Sequence, residues 1–139
     1  MYSKLVQVAF AVTMLPVLAG TAIAQGTTDP AAAAPKIVNS VTAAIDPASY
    51  QGPCPAKLNV TGTITMAKVP KEPIMYQWVH SDSTKGPKRS LTMTSNGAVV
   101  TEVWSVGTSG QMMRLWAELH VFSPTEVKSR QATVAVLCR

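Results

Sequence analysis

Apolar and polar residues alternate with a period of two from Lys36 to the end of the chain, and this alternation constrains the fold more than any other feature. Successive side chains of a β-strand point to opposite faces of a sheet, so a period of two is typical of half-buried strands. After Lys36 no segment shows the 3.6-residue periodicity of an amphipathic helix. The sequence therefore predicts an all-β domain.

Residues 73–82, with the sequence PIMYQWVHSD, are predicted to form the central strand of a small β-sandwich. Tyr76 and Trp78 are two residues apart, so both side chains point to the same face. A pair of large aromatic side chains on one face of a strand usually marks the centre of a core. We therefore expect Tyr76 and Trp78 to be buried and Gln77 to face outwards.

Clusters of Pro, Gly, Asp and Ser divide the alternating residues into seven short strands, which we letter A to G. The predicted strands are A, residues 41–45; B, 56–66; C, 73–82; D, 89–94; E, 98–106; F, 111–122; and G, 132–138. Seven short strands separated by regularly spaced turns are typical of a two-sheet sandwich. The segment 46–55, DPASYQGPCP, is predicted to be a turn.

The first 36 residues are not expected to belong to the sandwich. Lys4 precedes an apolar stretch, which is followed by the Ala-x-Ala sequence that a signal peptidase recognises. Residues 1–24 are therefore predicted to be a signal peptide, with an uncleaved anchor helix as the alternative. Residues 25–36 contain two prolines and a run of alanines but almost no bulky apolar side chain, which predicts a disordered leader. The domain at 37–139 is expected to be periplasmic or secreted, with no membrane span after cleavage.

Cys54 and Cys138 are the two cysteines of the chain, and in an exported protein such a pair is expected to be oxidised. Cys54 immediately precedes strand B and Cys138 ends strand G. In a chain whose strands alternate in direction, both positions lie at the same pole of the sandwich. The predicted disulfide would close a loop of about 85 residues and contribute about 4–5 kcal/mol in the chain-entropy model. Two free thiols or a two-ligand metal site are the alternatives.

Several motifs together resemble an immunoglobulin-like or PKD-like sandwich module of exported bacterial proteins. They are YQGPCP at residues 50–55, YQW followed by SDS at 76–83, Trp104, FSP at 122–124 and the cysteine that ends the last strand. The resemblance covers residues 34–139 and implies a seven-stranded immunoglobulin-like sandwich. The cysteine positions depart from an antibody domain, whose disulfide joins strands B and F across the core. The resemblance implies a role in binding, adhesion or spacing, among which the fold alone does not choose.

The sequence contains no recognisable catalytic motif. Its histidines are His80 and His120, and there is neither a Gly-x-Ser-x-Gly elbow nor a glycine-rich phosphate loop. Glu118 and His120 are two residues apart on strand F, so they share a face and could form an acid–base pair. A third positioned group is missing from this arrangement. The protein is therefore predicted to be non-enzymatic and to use no cofactor.

Methionine is frequent for an exported domain of this size. The methionines of the predicted sandwich are Met66, Met75, Met93, Met112 and Met113. Thioether and imidazole groups are soft ligands suited to Cu(I), so a periplasmic copper-binding protein is the alternative function, with His120, Met75 and Met113 as candidate ligands. The methionines lack tight Met-x-x-Met spacing, and their use as flexible core filler is the favoured interpretation.

The chain carries a formal net charge of +5. Lys85, Lys88 and Arg89 follow strand C, whereas Lys68 and Lys71 precede it, so the two groups are expected at opposite poles. A nucleic-acid site requires a continuous basic stripe with stacking aromatic residues, and no nucleic-acid partner is predicted. Weak attraction to an acidic envelope or polysaccharide surface is a milder inference from the charge.

One face of strand F is the best candidate for a binding surface. If the apolar residues at its odd positions point inwards, then Arg114, Trp116, Glu118 and His120 point outwards. Strand C lies next to strand F in an immunoglobulin-like sandwich, so Gln77 is expected to extend this surface. Exposed Trp and Arg side chains are favoured anchors for partners. We predict a binding module whose partner is a protein or an envelope polysaccharide; the alternative is that the leader or a neighbouring copy covers Trp116.

Overall fold

Strands form wherever the sequence alternates with a period of two. The computed structural model describes residues 37–139, which contain nine strands and no helix. The strands are β1 Val38–Asp46, β2 Ser49–Gly52, β3 Ala56–Met66, β4 Ile74–His80, β5 Arg89–Leu91, β6 Gly97–Val106, β7 Met112–Val121, β8 Val127–Lys128 and β9 Ala132–Cys138. Seven of them correspond to predicted strands A to G, and β2 and β8 are additional short strands. The predicted signal peptide and leader lie outside the described residues.

The strands form two sheets. One has the order β1-β3-β6, and the other has the order β2-β9-β7-β4-β5, with β8 paired to β7. All pairings are antiparallel except that of β2, which runs parallel to β9. The predicted all-β, two-sheet architecture is confirmed, and β4 lies next to β7 as strands C and F do in an immunoglobulin-like sandwich.

One detail of the topology differs from the prediction, and a second departs from a constant-type immunoglobulin domain. The segment 46–55 is not only a turn, because Ser49–Gly52 within it forms a short strand that pairs with the end of β9. The short β5 pairs with β4, whereas the fourth strand of a constant-type immunoglobulin domain belongs to the other sheet. The β2–β9 pairing joins residues far apart in sequence, and the β4–β5 pairing depends on the path of the loop between those two strands. Neither pairing can be predicted from the alternation of neighbouring residues.

The core lies between the two sheets and is centred on β4. Ile74, Tyr76, Trp78 and His80 alternate along this strand and are all buried, with Trp78 only 2% exposed. This confirms the prediction that Tyr76 and Trp78 face inwards. Gly62 on β3 is required by the same packing, because a Cβ atom there would overlap Leu119 and touch the Trp78 ring. The indole therefore lies directly against the backbone of the opposite sheet.

The disulfide is formed as predicted. Cys54 and Cys138 are bonded with their Cα atoms 5.3 Å apart, and no free cysteine remains. The bond joins the segment before β3 to the end of β9, so both cysteines lie at one pole. Gly107, with φ of +85°, passes so close to the two sulfur atoms that a side chain there would collide with them. The two sheets are thus linked covalently at this pole.

Candidate functional site

The predicted outward residues of strand F lie in one row along β7. Ala117, Leu119 and Val121 are fully buried on the inner side of the strand. The alternate residues Arg114, Trp116, Glu118 and His120 point to the opposite side and are called the outer row from here on. Within this row Arg114 is exposed, and the other three are half-buried. Because β7 is the middle strand of its sheet, the outer row runs along the centre of the face that points away from the other sheet.

Gln77 joins the outer row as predicted. The pairing of β4 with β7 places Gln77 opposite His120 and Val79 opposite Glu118. Paired residues of neighbouring strands point to the same face, so Gln77 extends the surface towards β4. Its side-chain nitrogen donates a 2.7 Å hydrogen bond to the carbonyl oxygen of Gly86. This bond holds the segment after β4 against the edge of the face.

The two ionisable groups at the centre of the outer row are bonded to each other. His120 Nε2 and Glu118 Oε1 are 2.5 Å apart, and the side chains are 15% and 16% exposed. The two residues are i and i+2 on one rigid strand, so the backbone fixes the geometry of the pair. The arrangement offers a pre-positioned donor and acceptor on a flat surface. It is placed on an open sheet face rather than in a concave pocket of the kind that encloses small substrates.

Phe122 continues the outer row beyond the end of β7, although it was not among the residues predicted to form the binding surface. Its ring is 6.3 Å from the His120 ring in an edge-on arrangement. The ammonium group of Lys88 lies 4.9 Å from the centroid of the same ring, within the range of a cation–π interaction. A usable signal was present, because position 122 has the same parity as the rest of the outer row.

The basic residues that follow β4 do not stay at one pole as expected. Lys85 pairs with Val79 in an isolated bridge, and Arg89 pairs with Tyr76. The segment from Lys85 to Arg89 therefore runs back along the edge of β4, and Lys88 reaches Phe122 at the other end of the face. The prediction of a single basic loop at one pole was wrong, because this segment returns as an extended chain rather than a compact turn.

A basic residue also lies next to the outer row on the flank of β7 that faces away from β4. Lys128 of β8 pairs with His120, which places it on the outer face. Lys85 and Lys88 lie on the β4 side of the outer row, and Lys128 lies on its other side. All three are exposed. The outer row is thus framed by cations on both sides.

The structure does not bring together the candidate copper ligands. Met75 and His120 are both on the outer face, but Met113 pairs with Val136 on the inner side of the sheet. Strand alternation therefore places a sheet between Met113 and His120, and this three-residue ligand set is wrong. Among residues 37–139, no group of three or more His, Cys, Asp or Glu side chains is positioned to hold a metal ion.

A second histidine–glutamate cluster, which the sequence analysis missed, lies between the sheets. His80 is 4% exposed and stacks on Trp104 with ring centroids 4.4 Å apart. Its Nδ1 is 3.1 Å from the Thr84 hydroxyl, which donates in turn to Asp82 at 2.5 Å. Its Nε2 is 3.6 Å from the Glu102 carboxylate, and neither atom has a hydrogen-bond partner. The cluster links β4 with β6 and the loop after β4, so it serves to join the sheets.

The carboxylate of Asp82 ionises more readily than an ordinary aspartate. Partial burial alone would raise its pKa, but hydrogen bonds from the hydroxyl and backbone N–H of Thr84 favour the charged form. The nearby His80 adds an attraction in the same direction. Together these contacts hold the pKa of Asp82 below its usual value of 3.8.

Comparisons with known proteins give little further information. No family model matches the chain, and no curated protein matches it. Among solved structures, the CARDB domain of the PF1109 protein from Pyrococcus furiosus, determined in complex with di-metal ions, is 16% identical. The match covers 76% of this chain and 99% of that one, with a TM-score of 0.43. A likeness at this level decides neither the ligand nor the activity of the present chain.

Proposed function

We propose that this protein is an exported, non-enzymatic interaction module of the cell envelope or extracellular space. It binds its partner on the outer face of the six-stranded sheet, with Trp116 as the anchor. The observation that supports this proposal is the composition of the outer row, which places Trp, Arg, Glu and His side by side on the middle strand of an open sheet. Trp and Arg are the residue types that most often dominate binding energy at interfaces.

The outer row is also organised before any partner arrives. The bond between Glu118 and His120 fixes both side chains, and Gln77 is held by Gly86. Binding immobilises flexible side chains at a cost, so groups that are already ordered lose less entropy when a partner docks. The strand position of Trp116 is fixed as well, because its backbone N–H and carbonyl oxygen both form hydrogen bonds with Ser81.

Export to the periplasm or the medium is supported by the disulfide. Bonds of this kind persist in oxidising compartments and are rare in the bacterial cytosol. We expect protein isolated from the envelope or medium of producing cells to show no reactive thiol after denaturation without reductant. Thiol titration checks this, and two reactive thiols per chain would contradict it.

The binding surface is tested with one variant on each outer face. Trp116→Ala removes the anchor, and Val99→Ala removes a valine that is 64% exposed on the three-stranded sheet. Mature protein secreted from the full chain is immobilised, and retention of components from an envelope extract is measured alongside the thermal midpoint. We expect Trp116→Ala to weaken retention by about 2 kcal/mol or more with little change in the midpoint, and Val99→Ala to change neither. Unchanged retention with a lowered midpoint would show that Trp116 has only a packing role.

A further inference from the structure

We infer that the partner of this face is an acidic polysaccharide, bound as an extended chain along the outer row through its anionic groups. The inference rests on the proposed function for the location of the surface and adds the chemical class of the ligand. It is carried by the charge, the shape and the residue types of the outer face.

Four of the ten Lys and Arg residues of positions 37–139 lie on this face, against one, Lys57, on the outer face of the other sheet. Arg114, Lys85, Lys88 and Lys128 are exposed there, on both sides of the outer row or within it. The one carboxylate of the outer row, Glu118, is already bonded to a histidine. A concentration of one sign of charge attracts the opposite sign and raises its local concentration.

The outer face of the other sheet provides the comparison. Its outward side chains are mainly Thr, Ser and Val, and the charged residues that point outwards from its strands are Asp46 and Lys57, one of each sign, whereas Glu102 of β6 points inwards. The cations near the outer row are therefore not a uniform coating that serves solubility. Two acidic residues do lie in the loops near the outer row, Asp82 and Glu126, but Asp82 accepts two hydrogen bonds from Thr84.

The shape of the face suits an extended chain. From Trp116 to Phe122 the outer row spans about 20 Å at roughly 3.3 Å per residue. It lies on the open face of a sheet, whereas compact small-molecule ligands are usually enclosed in concave pockets. Lys85 and Lys128 lie beside this line, and Arg114 and Lys88 lie near its two ends, so a linear polyanion can contact several cations at once.

The residue types favour a sugar chain over other polyanions. The C–H faces of a sugar ring are apolar and weakly positive, and they stack on the electron-rich face of an indole such as Trp116. His120 and Gln77 offer polar atoms for hydroxyl groups, and Arg114 offers the forked geometry that matches a carboxylate. Single-stranded nucleic acid requires a series of aromatic platforms for successive bases, and the Phe122 ring is already contacted by Lys88.

The inference is tested by direct binding of the mature protein to defined polymers. Polygalacturonate is compared with its fully methyl-esterified form, which has the same sugar backbone without the charge. Alginate and heparin extend the panel, and poly-glutamate and single-stranded oligo-dT represent the other classes of polyanion. Dissociation constants are measured at low salt and at about 0.2 M salt, where the screening length falls below about 10 Å.

Three variants locate the contact. The double variant Lys85→Gln/Lys128→Gln removes one cation from each side of the outer row, and Trp116→Ala removes the indole. Lys57→Gln removes an exposed cation from the opposite face and is the matched control. We expect at least one acidic polysaccharide to bind, and its neutral ester to bind at least about tenfold more weakly. The double variant should weaken binding by about three- to tenfold and Trp116→Ala by about thirtyfold or more, with Lys57→Gln within about twofold.

Each contrary result has a defined meaning. Equal binding of the esterified polymer, or an equal loss with Lys57→Gln, would overturn the inference that anionic groups are recognised at this face. Equally tight binding of poly-glutamate or oligo-dT with the same dependence on the variants would overturn the assignment to polysaccharides. If no acidic polysaccharide binds but retention of an envelope component still depends on Trp116, the inference fails and the proposed function stands. If Trp116→Ala retains that component normally, the proposed function fails as well.

Discussion

The inner and outer sides of the six-stranded sheet contain the same residue types in opposite environments. On the inner side Trp78 is 2% exposed and His80 lies beside Glu102 of the other sheet. On the outer side Trp116 is half-buried, and the second histidine–glutamate pair lies within a single strand. A tryptophan or a histidine–glutamate pair therefore has no fixed role. Its role depends on which face of the strand it occupies.

The two histidine–glutamate pairs differ in the elements that they connect. The Glu102 carboxylate comes from β6, so the inner pair connects two sheets and contributes to their association. The outer pair joins residues i and i+2 of β7, which the strand backbone already holds together, so it links no separate elements. The inner pair is thus explained by folding, whereas the outer pair joins no two elements of the described fold.

The largest expected effect comes from the two tryptophans. Trp78→Ala leaves a cavity at the centre of the core and should lower the free energy of unfolding by about 3–5 kcal/mol. Trp116→Ala should lower it by less than about 1 kcal/mol, because the side chain packs only on the outside of the sheet. Urea unfolding of both variants measures the difference. Losses of similar size would remove the distinction between the two sides.

A conservative variant sharpens this result. The indole N–H of Trp78 is buried without a hydrogen-bond partner. Trp78→Phe removes that donor while keeping most of the ring, so its loss of stability should be less than half that of Trp78→Ala. A loss as large as that of alanine would mean that the packing against Gly62 depends on the full indole.

The next effect separates the two glutamates. Glu102→Ala removes the half-buried neighbour of His80 that packs between the two sheets and should cost about 1–3 kcal/mol of stability. Glu118 is equally half-buried but pairs only within its own strand, so Glu118→Ala should cost about 0.2–1 kcal/mol. Thermal and urea unfolding at neutral pH compare the two variants directly. An equal cost would show that the outer pair is as important for folding as the inner pair.

The sequence predicted those features that depend on local alternation. The bounds of β3 and β9, the burial of Trp78 and the outward orientation of the outer row all follow from the parity of neighbouring positions. The disulfide was predictable because Cys54 and Cys138 have no other cysteine to pair with. These inferences need only the parity of neighbouring positions and the number of cysteines in the chain.

The features that the sequence did not predict depend on contacts between distant segments. The return of Lys85 and Lys88 along β4 and the pairing of β2 with β9 are not encoded in any local pattern. The sequence does contain a partial signal of the histidine–glutamate cluster between the sheets, because Glu102 shares the parity of the buried residues Val100 and Trp104. A charged residue among inward positions indicates a buried partner, but only the packing of the two sheets identifies it as a histidine.

The smallest expected effect concerns Asp82, at the end of the hydrogen-bond chain that reaches the inner histidine through Thr84. Because its pKa is lower in the folded protein than in the unfolded chain, Asp82 contributes stability above the unfolded value of about 3.8. That contribution is lost as the pH falls through the folded pKa. Asp82→Asn should therefore reduce the free energy of unfolding at pH 6, by less than about 1 kcal/mol because the side chain is exposed to solvent. The difference from the native protein should shrink as the pH falls below about 3.8.

Two substitutions of Thr84 show whether the hydrogen bonds are responsible. Thr84→Ser keeps the hydroxyl that donates to Asp82 and should leave the pH profile of stability unchanged. Thr84→Val removes the hydroxyl and should move the profile towards that of Asp82→Asn, although the backbone N–H of residue 84 still donates. Urea unfolding measured from pH 3 to pH 7 distinguishes the three variants. If Asp82→Asn loses the same stability at every pH, the effect comes from packing of the loop and not from the ionised carboxylate.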